Sequence, residues 1–418
     1  MKFYIIPFLL FSLGFPALSP AYDFKLPERR KSQYETTEGY AIFPFPYSLP
    51  GVGSGISLVG GATNINEGYS DVYGLLLSGG VTGVAAAIDD LHIINQKLIL
   101  EIGGSAISKA TITNYGQRGM RSNKNDFNLI EISDTNSIGG RLTATYFQRR
   151  IEFYSAYYYF QSRLERIRNS DGEIVLEVDN PETEKADQKI LGIRFDLTDD
   201  YQDPHKGFRL DISGWYTPTK DSGPEYLLLD LNASVYIPIN KRSTWVFNYF
   251  HSDAFVFTKG ETQREKVIEQ LGIDCDAINS ADDQDLCNQL IDNTIAENTF
   301  GTASSLGGFS RLRSYPQGRY WGAHSRFFGT EFRWNITDEL TPFNLYLIKD
   351  VRTAIQIAFF FETGTIADVR SDIGRDFRKS CGIGFRIVTA SGSVFRGDFG
   401  YGDEGFQPNI FIGYPWEI

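Results

Sequence analysis

The chain has 418 residues, a formal net charge of -12 and a mean hydropathy of -0.24. The acidic balance argues against nucleic acid as a partner, and beyond the N-terminus no run of about 20 apolar residues offers a transmembrane helix. Aromatic residues make up 14% of the chain, which also contains 41 glycines. This mixture is typical of many strands with tight turns, or of a β-barrel with aromatic girdles.

The chain begins with MKFYIIPFLLFSLGFPALSPA, which combines one lysine, an apolar run and a small-residue end. This pattern predicts a secretory signal peptide over residues 1–21. An N-terminal membrane anchor is the alternative, although the apolar run is short for a spanning helix. We therefore expect export.

Residues 22–52 form a charged and then proline-rich lead. We expect no folded domain there, because a domain typically needs at least about 50 residues. From Gly53 to Ile418 the chain has the pattern of one strand after another, with short turns between them.

Strict alternation of side chains is the main evidence for strands. In YLLLDLNASVYIPI, Asp230, Asn232 and Ser234 share one face, and apolar residues take the other. Such strands fit a soluble sandwich or a closed barrel whose apolar face meets lipid. Export, long strands and charges of both signs on one face favour an all-β transmembrane antiparallel barrel, since closure also removes exposed edges.

The same alternation assigns several charged residues of the C-terminal strands to the inside of the barrel. A solvated pore lining without a specific role is the alternative for them. Cys381 falls on the opposite, lipid-facing side. The expected lumen residues are Glu331, Arg333, Arg352, Glu362, Arg386, Arg396 and Asp398.

The stretch GGFSRLRSYPQGRYWG, Gly307–Gly322, concentrates arginines and aromatic residues in a turn-rich loop. It stands at the head of an ordered series of motifs in the last third of the chain. The series runs through Leu312–Tyr315, Glu331–Arg333, Phe360–Gly364 and Gly382–Arg386 to Asp398. In this order the chain resembles the BamA/TamA-type barrels of the outer-membrane protein 85 superfamily, the bacterial surface antigen family. The resemblance covers residues 185–418 well, and residues 53–184 by strand pattern alone.

The resemblance implies sixteen strands, where the strand pattern alone also allows fourteen. It implies a long sixth extracellular loop that folds back into the lumen, with residues 301–322 as its arginine motif. In this loop Arg313, together with Tyr315, would be locked to lumen carboxylates, with Glu362 and Asp398 as candidates. An arginine in a partly dehydrated lumen needs such a partner. Two residues depart from the family pattern: Ser314 replaces a glycine, and Glu362 replaces an aspartate.

Residues 259–300 form an acidic insert in the same loop. Ser280 and Asp283 are placed as a capping box ahead of a helical stripe of Leu286, Leu290, Ile291 and Ile295. Export makes a disulfide between Cys275 and Cys287 the expectation, with two free thiols as the alternative. The insert is interpreted either as a lid over the barrel mouth or as a plain solvated loop.

The expected protein is a non-enzymatic, monomeric barrel of the bacterial outer membrane, without cofactor or metal. The resemblance implies insertion or translocation of protein or lipid, although the lead cannot hold a POTRA domain. Partners would be outer-membrane lipid and lipopolysaccharide, with unfolded outer-membrane protein, lipid or secreted clients. The alternative is a plugged or passive solute pore. With four histidines and no G-x-S-x-G elbow, catalytic chemistry is the least favoured reading.

Overall fold

The computed structural model describes residues 26–30, 32–219, 223–271, 275, 281–337, 342–389 and 394–416. The expected signal peptide lies outside these residues. Strands dominate the described part of the chain. In chain order they are β1 Gly39–Leu49, β2 Gly53–Thr63, β3 Asp71–Gly79, β4 Val81–Ile94, β5 Leu98–Tyr115, β6 Phe127–Tyr146, β7 Ile151–Arg168, β8 Ile174–Glu177, β9 Thr183–Asp196, β10 Gly207–Thr217, β11 Glu225–Asn240, β12 Ser243–Thr258, β13 His324–Asn335, β14 Pro342–Leu345, β15 Ile348–Ala367, β16 Arg378–Thr389, β17 Val394–Gly402 and β18 Gly405–Ile412.

Sixteen of these strands form the wall of a closed antiparallel barrel, which confirms the predicted fold class. The other two, β8 and β14, are four-residue strands that pair with β7 and β15 beyond the wall. Neighbouring strands follow chain order, so the barrel is an up-and-down meander. Its two ends differ in the length of their connections. We call the end that carries residues 116–126 and 259–323 the loop end, and the opposite end the turn end.

The alternation predicted from the sequence sorts residues between the two faces of the wall. The outer face exposes large apolar side chains, as a lipid-facing surface requires. Examples from separate strands are Leu58, Leu76, Val84, Phe359 and Ile387. Cys381 also lies exposed on the outer face of β16.

The buried apolar core lies inside the barrel, where loop residues pack against inward-facing wall residues. This is possible because the loop between β12 and β13 turns into the lumen instead of remaining outside. The core cluster consists of Met120, Tyr236, Val246, Phe250, Leu306, Leu312, Tyr315, Tyr320, Phe327, Ile366 and Trp416.

The wall begins earlier than the sequence indicated. Strand β1 starts at Gly39, inside the segment expected to be a lead without a folded domain, with the barrel beginning at Gly53. Pro44 and Pro46 obscured it, because proline lacks the N–H that a central strand must donate. The strand accommodates both prolines because it lies at the point where the barrel closes.

The acidic insert contains two helices, α1 Arg264–Leu271 and α2 Ala281–Phe300. The second was predicted and the first was not; the capping serine, Ser280, lies outside the described residues. Cys275 and Cys287 are joined in a disulfide with a Cα–Cα distance of 5.5 Å, and both belong to a small core with Val267 and Ile291. Neither helix is long and apolar enough to cross a membrane.

Candidate functional site

The turn-rich segment 301–322, which we call the strap, crosses the lumen and is fixed there by Arg313. Its side chain is fully buried and pairs with three carboxylates from three wall strands. The Nε atom lies 2.8 Å from Glu362 Oε1, and one terminal nitrogen lies 3.1 Å from Glu331 and 2.8 Å from Asp398. The backbone N–H of Arg313 donates to the second oxygen of Glu362 over 2.8 Å. The guanidinium therefore connects β13, β15 and β17 through a single loop residue.

The surrounding wall arginines complete a charge network around these carboxylates. Arg386 and Arg333 pair with Glu331 at 2.5 and 2.8 Å, and Arg396 pairs with Asp398 at 2.7 Å. Every member of this network is at most 2% exposed. Charges buried this deeply are tolerated only when they are paired and hydrogen-bonded. Of the predicted lumen residues, only the side chain of Arg352 lies outside the described part of the structure.

The backbone of the strap explains why Ser314 can stand where the family pattern has a glycine. The positive φ falls on Leu312, at 53°, and Ser314 has an ordinary conformation. Ser314 N–H donates to Ser380 Oγ over 3.1 Å, and Tyr315 donates its hydroxyl hydrogen to the carbonyl oxygen of Lys379 over 3.0 Å. The predicted partner residue Tyr315 thus anchors the strap to β16.

Two glycines of β17 provide the space for the strap. A Cβ atom at Gly400 would lie 2.8 Å from the carbonyl oxygen of Arg313, and one at Gly402 would lie 2.3 Å from Ser314 Oγ. Neither glycine was recognised from the sequence, because nothing in the local pattern shows that a loop lies against that strand.

A second anchor holds the C-terminal part of the strap. Arg319 is fully buried and pairs with Glu404 at 2.7 Å. It also donates to the side chain and the carbonyl oxygen of Ser122, in the loop between β5 and β6. Tyr320 donates its hydroxyl to Glu404 and accepts from Arg378. The sequence does not indicate these partners of Arg319, because Glu404 and Ser122 are remote from it in the chain.

The residues after β18 also turn into the lumen. Trp416 is 1% exposed, and its indole N–H donates to Glu362 Oε1 over 3.0 Å. Tyr414 donates its hydroxyl to Asp203 in the connection between β9 and β10, over 2.8 Å. Burial would raise the pKa of Asp203, but the charges of His205 and Arg30 and the hydrogen bond from Tyr414 outweigh burial and lower it. The carboxylate therefore stays ionised and accepts the bond from Tyr414.

The closure between β1 and β18 is the weakest junction of the wall. The two strands share one register pair, Ser48 with Ile410. By contrast, β1 shares eleven pairs with β2, and β17 shares eight with β18. We call the β1–β18 junction the seam. On the N-terminal side of Ser48, strand β1 separates from β18. There the N–H of Ile42 donates instead to the carbonyl oxygen of Leu347, over 2.9 Å.

Prolines remove hydrogen-bond donors on the seam side of both strands. Successive N–H groups of a strand point in opposite directions. Because the N–H of Ile42 points away from β2, the nitrogens of Pro44 and Pro46 are directed to the seam as well. In β18 the N–H of Gly413 donates to Val394 of β17, so the nitrogen of Pro408 is directed to the seam. Backbone pairing along this stretch is thus limited by the sequence itself.

The described residues of the lead lie against the turn end. Arg29 donates to the carbonyl oxygens of Gln148 and Asp196, over 3.3 and 3.0 Å. Tyr34 donates to the carbonyl oxygen of Gln96 over 3.2 Å. The lead therefore bridges three separate turns. Among the described residues, no group of histidine, cysteine or acidic side chains is arranged to hold a metal ion.

The comparisons with known proteins bear on the fold. No protein-family model and no curated protein sequence matches the chain. Among solved structures, it is similar to BamA from Haemophilus ducreyi lacking POTRA domains 1–3, with 14% identity over 90% of this chain and 69% of that one and a TM-score of 0.46. It is also similar to CdiB from Escherichia coli and from Acinetobacter baumannii, with 11% and 10% identity and a TM-score of 0.47 for each. Each CdiB alignment covers 90% of this chain, and 62% and 60% of the respective CdiB chains.

Proposed function

We propose that this protein is a non-enzymatic barrel of the bacterial outer membrane, of the BamA/TamA type, that passes an amphipathic client between its lumen and the bilayer. The client would be an unfolded outer-membrane protein or a lipid. The observation that supports this proposal is the seam, where one register pair joins the first and last wall strands. A lateral opening there breaks one register pair with β18 and two with β15, whereas every other described junction of adjacent wall strands has at least seven.

The strap supports the same proposal from inside the lumen. A passive solute pore gains nothing from a buried network that ties one loop arginine to three wall carboxylates. In a barrel that opens sideways, such a network has a purpose, because it holds β13, β15 and β17 together while the seam separates. The C-terminal tail connects the seam to the charge network, since Trp416 follows β18 and contacts Glu362.

The experiment locks the seam by a disulfide. Ser48→Cys and Ile410→Cys are placed at the register pair, where Cα atoms of paired strands lie about 4.5–5.5 Å apart, within the range that a disulfide bridges. The background carries Cys381→Ser, together with Cys275→Ser and Cys287→Ser, so that reductant acts on the new bond alone. Leu58→Cys with Leu76→Cys locks the paired strands β2 and β3 as the matched control.

Purified protein in liposomes is assayed for the transfer of fluorescent phospholipid between leaflets and for the folding of an added outer-membrane barrel protein. The proposal predicts that the seam lock abolishes at least one activity, that reductant restores it, and that the control lock has no effect. Steady ion conductance with neither activity above that of empty liposomes would support the passive pore instead.

A further inference from the structure

The lumen contains a cavity of about 1080 Å³ on the side of β1–β7. The strap contributes none of the described residues that line it. The volume is slightly larger than the range of about 300–1,000 Å³ that ligand sites usually occupy. The cavity therefore has room for a bound molecule while the strap stays in place.

The middle of the cavity wall is unusually apolar for the inside of a barrel. Barrel interiors that conduct water and solutes are lined by polar side chains. Here successive strands present small or aliphatic side chains to the lumen, while their outer faces are apolar as well. The inward-facing residues of this wall include Ala41, Val59, Leu75, Ala85 and Ala87.

The cavity reaches the seam. Tyr40 and Phe43 of β1 line it, and so do Phe395 of β17 and Ile412 of β18. The rings of Phe43 and Phe395 are 5.1 Å apart, which makes an apolar contact across the seam. An apolar chain could pass from the bilayer to the cavity wall at this point without crossing a polar layer.

A row of charged residues borders the apolar wall toward the turn end. Asp71 of β3 is in register with Asp89 of β4, and Glu101 of β5 is in register with Arg141 of β6. A register shift after Ile88 turns both Asp89 and the next residue, Asp90, into the cavity. Such bulges re-aim side chains and often accompany functional sites.

The charges of this row are not all satisfied within the protein. Asp90 pairs with Arg149 at 3.1 Å, and Asp71 accepts hydrogen bonds from Asn64 and Tyr73. Glu101 and Arg141, however, approach each other no closer than 4.0 Å. The Nε atom of Arg141 is buried, and no described residue accepts its hydrogen. Arg141, whose guanidinium also lies over the ring of Tyr154 at 3.8 Å, and the nearby carboxylates thus line the cavity with hydrogen-bonding capacity to spare.

We propose that the cavity binds a zwitterionic phospholipid that enters through the seam. One acyl chain lies along the apolar wall, the phosphate accepts hydrogen bonds from Arg141, and the ammonium group of the headgroup lies near Glu101 and Asp89. This inference rests on the proposed lateral opening and specifies the client as lipid.

An extended polypeptide fits the cavity less well. Its backbone would need hydrogen-bond partners, but the wall strands around the cavity already pair with their neighbours. The strand edges at the seam lack three N–H donors, because Pro44, Pro46 and Pro408 occupy those positions.

Binding is measured on the full-length protein in detergent, with phosphatidylethanolamine that carries a photoreactive group at the end of one acyl chain. After irradiation, mass spectrometry identifies the labelled peptides. We expect label on the inward-facing residues of β2–β5. Ala87→Trp fills the cavity and should reduce labelling about tenfold, whereas Ile88→Trp, the neighbouring residue on the outer face, should label like the wild type. Ala87→Leu is a milder substitution that serves if the tryptophan variant does not fold.

The headgroup is tested with phosphatidylglycerol as the anionic probe. Arg141→Gln should weaken the capture of both lipids about tenfold, the usual worth of a hydrogen bond to a charged group. Glu101→Gln should weaken the capture of phosphatidylethanolamine alone. Label confined to the outer face, or labelling that Ala87→Trp leaves unchanged, would overturn the inference. Binding in detergent requires no lipid transfer. If the lipid binds in the cavity but the seam lock leaves transfer unaffected, the proposed function is contradicted and the binding site is not.

Discussion

Trp416 donates its indole N–H to Oε1 of Glu362 over 3.0 Å, and that same oxygen accepts the Nε hydrogen of Arg313 over 2.8 Å. One carboxylate thus joins the end of the chain to the strap. Gly329 leaves the room for this contact, since a Cβ atom there would lie 2.6 Å from the indole ring. Trp416 lies four residues beyond the end of β18, so a short stretch of chain connects the seam strand to the carboxylate that holds Arg313.

Replacing Trp416 tests this connection. Trp416→Ala removes a buried aromatic ring and should lower the free energy of unfolding by about 3–5 kcal/mol. Trp416→Phe keeps most of the ring but loses the hydrogen bond to Glu362, so its cost should be smaller, about 1.5–3 kcal/mol for a bond to a charged group. Urea unfolding in lipid vesicles measures both values. A Trp416→Phe variant as stable as the wild type would mean that the hydrogen bond to Glu362 contributes nothing.

Arg313→Ala should destabilise the barrel by about 3–5 kcal/mol, because it leaves Glu362 buried without its cation. The double variant Arg313→Ala/Glu362→Gln should recover part of that loss. Arg375, whose ion pair with Asp372 is exposed, provides the control, and Arg375→Ala should cost less than about 1 kcal/mol.

The same Arg313 variant should alter conduction. In planar bilayers we expect the wild type to be nearly closed and Arg313→Ala to show open steps, since the strap is no longer fixed across the lumen. Equal and steady conductance of both proteins would show that the strap is not held by this arginine.

Gly402→Ala should displace the strap, because its Cβ would lie 2.3 Å from Ser314 Oγ and 2.8 Å from the carbonyl oxygen of Lys379. Gly397→Ala, in the same strand, is the matched control, since its Cβ would meet no atom closer than 4.0 Å. Limited proteolysis of the strap measures the difference. Faster cleavage in Gly402→Ala alone is the expected result, and equal cleavage in both variants would contradict the role assigned to this glycine.

Restoring the missing N–H groups should strengthen the seam. The double variant Pro44→Ala/Pro46→Ala returns two donors on the side of β1 that faces the seam, and each new backbone hydrogen bond should add about 0.5–1.5 kcal/mol. We expect slower lipid transfer in liposomes than with the wild type. Pro238→Ala, in β11, is the control for replacing a strand proline. Unchanged transfer would mean that these prolines do not set the strength of the seam.

Sequence patterns predicted the barrel fold and the inner and outer faces of its strands better than the contacts between residues far apart in the chain. Alternation is a local property, so it located Glu331, Arg333, Arg386 and Arg396 on the lumen side before any strand was paired. The family resemblance then supplied the strap and the carboxylates Glu362 and Asp398 as candidates for Arg313.

Other features depend on contacts between residues far apart in the chain. No local pattern shows that Trp416 turns back into the lumen or that the strap lies against Gly402. The first wall strand was missed because Pro44 and Pro46 argue against a strand unless the strand is known to lie at an edge. That knowledge comes only with the closure of the barrel, so local patterns could not provide it.

The proposed function requires the seam to open while the rest of the wall stays closed. Spin labels are attached at Ser48→Cys and Ile410→Cys in a Cys381→Ser background, and the protein is placed in lipid nanodiscs. Pulsed electron paramagnetic resonance then measures the width of the seam. Labels at Leu58→Cys and Leu76→Cys report a fully paired junction between β2 and β3. We predict a second, longer distance population at the seam and a single short one at the control pair. A single short distance at both positions would contradict lateral opening.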